Sequence, residues 1–92
     1  GEVSGHIDHD KAMKMFNDAL QEMKRSLSDV EGMHLKGGQK KFAKRMRSMY
    51  KELETSITDF DQTDSRELFV QAVEKLEILQ PAFMLNYSEL LD

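Results

Sequence analysis

The sequence predicts an all-α fold: an antiparallel three-helix up-down-up bundle whose third helix is kinked or broken at Pro81 and followed by a short C-terminal helical segment. Three observations carry that expectation. Apolar residues recur at alternating gaps of three and four, the period of a helix with one buried seam. No stretch shows the sustained apolar-polar alternation of a half-buried strand. Gly and the single Pro fall between the periodic stretches or near their ends.

Ninety-two residues are enough for one core. Residues 8–92 are therefore expected to form a single bundle behind a disordered or frayed lead over 1–7. The chain opens Gly1-Glu2-Val3-Ser4 without Met, so Gly1 reads as a remnant of cloning. The start is also that of a chain trimmed of a signal or cut from a longer protein, and an exported or periplasmic origin is compatible with it.

The first helix is expected over 8–31. Met13, Phe16, Leu20, Met23, Leu27 and Val30 form its seam, and Ala12, Met15 and Ala19 widen that seam into the stripe of a helix packed on two neighbours. Asp8 is the expected N-cap, because its carboxylate can accept from the orphan amides of the first turn, with Ile7 and Ala12 placed as a hydrophobic staple. Gly32 follows the last seam residue and is expected to close the helix in the left-handed conformation, and Gly37-Gly38 marks the connection. The second helix is expected over 39–57, with Phe42, Met46, Met49, Leu53 and Ile57 on one face and Tyr50 beside them. The segment Thr58 to Thr63 reads as a polar turn. Asp64, with Glu67 three residues on, has the spacing of a capping box for a third helix over 65–80 that buries Leu68, Phe69, Ala72, Val73, Leu76 and Leu79. Pro81 cannot donate a backbone hydrogen bond, so the helix kinks there or restarts as a segment over 81–91.

Composition narrows the chemistry. Thirteen Lys and Arg against seventeen Asp and Glu leave a net charge of −4, which argues against a generally basic nucleic-acid-coating protein. Without Cys there is no disulfide scaffold, thiolate zinc site, cysteine nucleophile or thiolate-held iron-sulfur cluster. The longest apolar run, Ala82 to Leu85, is far short of a bilayer span, so the chain reads as soluble. Seven Met are many for this length. Most fall on the predicted seams, where flexible thioethers fill core gaps.

His6 and His9, near Asp8 and Asp10, are metal-ligand types, but their spacing suits no single helical face, so they are weak candidates only. The remaining histidine, His34, falls in a connection, and neither the Glu-x-x-His pairs of a di-iron bundle nor an inward haem ligand is present. The oxygen-rich stretch beginning at Asp59 resembles the opening of a calcium loop, yet Asp64 stands where Gly is needed and Val70 where a bidentate Glu is needed. No nucleophile, base and orienting group can be assembled, so no enzyme and no cofactor are expected.

Two surfaces remain. The first is a C-terminal apolar excess: Val70 and Ile78 point away from the third-helix seam, and Phe83, Tyr87 and Leu90 follow. These five residues are the leading candidate for contact with a protein partner or a second copy of the chain, the competing reading being that the segment folds back over its own bundle. The second surface is basic. Lys36, Lys40, Lys41, Lys44, Arg45, Arg47 and Lys51 fall in one stretch with no acid among them. Lys40, Lys44, Arg47 and Lys51 project along one side of a helix, with Lys41 and Arg45 flanking its seam. They are the alternative site, for nucleic acid or an acidic surface, unless they only complement acidic residues on the neighbouring helices.

Overall fold

The computed structural model describes residues 7–91, and within them the only regular secondary structure is helical. Helix α1 spans His9–Glu31, a short 3-10 turn spans Gly37–Gln39, α2 spans Lys40–Thr63 and α3 spans Arg66–Leu91. The body measures 52 × 20 × 17 Å. No helix among the described residues is long and apolar enough to cross a membrane. The expected lead over 1–7 lies outside the described residues except for Ile7, which packs on the core.

Helix α1 begins as its sequence dictates. The Asp8 carboxylate accepts from the Lys11 backbone N–H at 3.2 Å, satisfying an amide that the first turn leaves without a partner. Ala12, Phe16, Leu20, Met23 and Val30 are buried, whereas Met15, expected in the widened seam, is half-exposed. The other end departs from expectation. Gly32 stays in the right-handed region at φ −86°, and its N–H shares the Ser28 and Asp29 carbonyls, so the helix unwinds without a left-handed cap.

Helix α2 is longer than its seam suggested. The segment 58–63, expected as a turn, continues the helix because Phe60 extends the buried face after Leu53 and Ile57 and is completely covered. The turn is pushed to residues 64 and 65. Asp64 takes the left-handed conformation, φ 53°, and donates its N–H to Phe60 O. A short polar side chain tolerates that conformation where most residues are strained. Asp64 thus ends α2 rather than capping α3. The cap is Ser65, whose hydroxyl accepts from Leu68 N–H at 3.4 Å.

Helix α3 runs uninterrupted through Pro81, so there is no break into segments 65–80 and 81–91. A proline inside a helix forfeits one backbone hydrogen bond and crowds the preceding turn. Burial on both sides of it outweighs that penalty, since Ala72, Phe83 and Leu90 are all in the core. Just past the proline, the Asn86 amide donates to the Ala82 carbonyl at 2.8 Å.

Contacts between helices place the site. His9, at the start of α1, reaches Asp61 and Asp64 at the end of α2. Glu52 of α2 pairs with Lys75 of α3, and the Tyr87 hydroxyl near the end of α3 donates to Asp29 near the end of α1 at 2.8 Å. Phe16, Phe60 and Phe69 form one aromatic cluster with centroids 5.6 to 5.9 Å apart, drawing a ring from each helix. Helix α2 packs most extensively on α3, and α1 touches α3 least.

Candidate functional site

The basic residues occupy the first half of α2. Ala43, Met46 and Leu53 turn one face of the helix into the core, and the 3.6-residue period carries Lys44 and Lys51 toward the outer side, while Lys40 and Arg47, three and four residues from Ala43, border the core face and line a hollow with Val30 and Glu31 of α1. Lys41 and Arg45 lie beside Lys44. All six side chains are exposed. Lys41 Nζ sits 5.2 Å from the Phe42 ring centroid and Arg45 Cζ 5.7 Å from it, so the ring's electron-rich surface gathers two cations. Lys41, Lys44, Arg45, Ser48 and Met49 outline a hollow of about 300 Å³.

Glu31 of α1 lines a hollow with Lys40 and Arg47, yet the cations of this stretch form no ion pair with a described residue of a neighbouring helix. Among the described residues the ion pairs of the lysines are Lys14–Asp18, Lys51–Glu54 and Lys75–Glu52, and none of Lys40, Lys41, Lys44, Arg45 or Arg47 has a carboxylate within 4.0 Å. Even Lys51–Glu54, at 3.7 Å, lies within α2 itself. The first turn of α2 also carries no acid, so Lys40 and Lys41 stand at the positive end of the helix dipole without a carboxylate in that turn to balance them.

The apolar candidate site is divided by the structure. Phe83 and Leu90 belong to the core, Phe83 with no exposed surface at all, because the C-terminal half of α3 continues along the bundle and turns these residues inward. Tyr87 is half-buried and held by Asp29, which together with desolvation raises the pKa of its hydroxyl. Val70 and Ile78 are exposed as expected. Ile78 is 67% exposed, and Leu85, one heptad further on the same side, is 69% exposed.

His9 is a titratable group that the fold brings between two carboxylates. Its Nδ1 lies 2.8 Å from Asp64 Oδ1 and its Nε2 lies 2.8 Å from Asp61 Oδ1, while the ring stacks on Phe60 at 5.0 Å. Ionised carboxylates only accept, so both bonds form when both nitrogens carry protons. The bond to Asp64, then that to Asp61, raises the imidazole pKa above its ordinary 6.5, against a smaller opposing contribution from desolvation. Both ring nitrogens being engaged by carboxylates, His9 has none left for a metal. His6 lies outside the described residues. Among the described residues no group of three His, Asp or Glu is placed to hold a metal ion. Tyr50, at the α1–α2 groove, has its pKa raised by burial and by Glu54.

The sequence alone did not reveal the His9 cluster, whose members stand 52 and 55 residues apart. The available signal was the continuation of the Leu53, Ile57 spacing to Phe60, which places Asp61 and Asp64 on the last turn of a longer helix. No protein-family model, no curated protein and no solved structure matches the chain.

Proposed function

We propose that the protein is a non-enzymatic helical-bundle module that binds polyanions, specifically the phosphate backbone of nucleic acid, through the outer face of α2. The observation that carries this reading is the absence, among the described residues, of any carboxylate within ion-pair range of Lys40, Lys41, Lys44, Arg45 and Arg47. Cations gathered on one rigid face and left without partners bind polyanions by releasing condensed counterions. An anionic membrane surface suits this helix less well. A basic amphipathic helix adsorbs by inserting its apolar side, and here that side is committed to the core through Ala43, Met46 and Leu53. The ring best placed to stack on a base, Phe42, is already covered by Lys41 and Arg45, so binding is expected to ignore base sequence. The test is a fluorescence titration of a duplex oligonucleotide with the wild-type chain and with the Lys44→Glu/Arg47→Glu variant. Tight, sequence-indifferent binding that the double charge reversal abolishes supports the reading, and equal binding by the two proteins removes it.

A second reading rests on α3. Ile78 and Leu85, together with the neighbouring Met84 and Leu91, keep large apolar side chains in water, which suits a protein partner or a second copy of the chain. Light scattering over a dilution series at low and high salt separates the two readings, because apolar association survives salt and backbone binding does not. The arrangement we infer for the module is the up-down-up bundle, with α3 bent at Pro81. The polar pairs joining the start of α1 to the end of α2, and the ends of α1 and α3, support it.

A further inference from the structure

Between the first turns of α1 and the start of α3 runs a largely apolar groove of about 470 Å³, floored by Ala12, Met15, Phe69 and Val70. Met15 and Val70 come from different helices, are 44% and 45% exposed, and face this same space. Side chains so placed normally close over one another. Here the pair of bonds from His9 ties the first turn of α1 to the end of α2, and α1 touches α3 least, so the groove stays open. Its rim carries Lys11 and Arg66. Among the described residues neither has a carboxylate within 4.0 Å, and the rim acid, Asp8, accepts the Lys11 backbone N–H through one oxygen in capping α1, so the two cations outnumber it at the rim.

We propose that this groove binds a single-chain carboxylate amphiphile, a medium-chain fatty acid, with the acyl chain over Met15, Phe69 and Val70 and the carboxylate held by Lys11 and Arg66. An apolar floor with a few polar groups at one rim, in a volume of a few hundred Å³, is the usual form of a small-molecule site. Charge complementarity selects the head group: two cations without partners favour an anion, and the planar guanidinium of Arg66 matches a carboxylate in a two-pronged bond. This site lies on α1 and α3 and is independent of the basic face of α2.

The experiment is a titration of the full chain with decanoate, below the concentration at which it forms micelles, followed by NMR of methionine, valine, isoleucine and leucine methyl groups. Decanoate is expected to shift the Met15 and Val70 methyls saturably and to leave those of Ile78 and Leu85 in place, since the latter are more exposed but lie outside the groove. Replacing both rim cations, Lys11→Gln with Arg66→Gln, should weaken binding by about tenfold or more. Met15→Glu, which puts a carboxylate on the floor at an exposed helical position, should abolish binding with helix content unchanged. Decyltrimethylammonium, with the opposite head charge, should not bind there. Shifts spread over all exposed methyls, equal binding of the two head groups, undiminished affinity in the double variant, or no shift through the millimolar range would each overturn the proposal. So would shifts of Met15 and Val70 by an acidic apolar peptide but not by decanoate, which would make the groove a protein-docking surface.

Discussion

At the scale of single residues, His9 shows how a surface ion pair becomes structural. A lone exposed pair contributes little, because solvent screens it and two side chains must be ordered to make it. His9 differs in meeting two carboxylates at once while its ring rests on the buried Phe60. Its pKa is raised in the folded chain, so its contribution to stability is fully present below the unfolded value of about 6.5 and fades as pH rises through the folded value. Urea unfolding followed across pH 5.5 to about 8.5 should show declining stability over that window, and His9→Gln should flatten the decline. Asp64→Asn keeps a side chain suited to the left-handed conformation but removes the charge, and it should lower the His9 pKa in an NMR titration. A His9 that titrates at or below its ordinary value would contradict this account.

The division of the C-terminal apolar residues is also a residue-scale matter with a clear stability signature. Phe83→Ala removes a completely buried ring and should cost about 3–5 kcal/mol in denaturant unfolding. Ile78→Ala should stay within about 0.5 kcal/mol, since its side chain is mostly in water. The sequence reading grouped them because Ile78 stood off the 69-72-76-79 seam and Phe83 fell beyond the expected kink or break at Pro81. Burial separates them because a continuous α3 carries Phe83 round to the inner side.

At the scale of elements, the positions and types of the three helices were legible, as were the limits of α1, whereas the end of α2, the cap of α3 and the continuity of α3 were not. Period alone located α1, α2 and the first half of α3, since each has a seam of several apolar residues that only a helix gathers on one side. The errors all lie where one residue decides the outcome. Polar neighbours at 58–63 masked the single buried Phe60, and the shared ambiguity of Asp64 and Ser65, both good caps, placed the cap one residue early. At Pro81, local propensity argued for interruption, and burial of the residues beyond it prevailed. The same reasoning predicts the effect of Pro81→Ala. The substitution restores a backbone donor on an exposed helix surface and relieves crowding on the preceding turn, while loosening the unfolded chain, so stability should rise by about 2 kcal/mol in urea unfolding. No gain would mean that the packing of Phe83 and Leu90 depends on the proline itself.

At the scale of the whole molecule, charge is arranged against its average. The net charge of −4 describes neither surface, because the cations of α2 stand apart from the acids that outnumber them. The basic stretch was fully legible in the sequence, since acids are absent between Lys36 and Lys51. Its lack of partners was not, because whether Asp or Glu from α1 and α3 reach it depends on how the helices are rotated against one another. That rotation places core residues inward and leaves the basic side chains exposed, with Lys40 and Arg47 at the edge beside the end of α1. The consequence is measurable in one titration. Binding of a duplex oligonucleotide should weaken steeply with salt, with log K falling against log salt at a slope of about −4 to −5 if five cations each neutralise a phosphate. The Lys44→Glu/Arg47→Glu variant should bind too weakly to measure under the same conditions. A slope near zero, or a variant that binds as the wild type does, would contradict the claim that the outer face of α2 is the working surface of this protein.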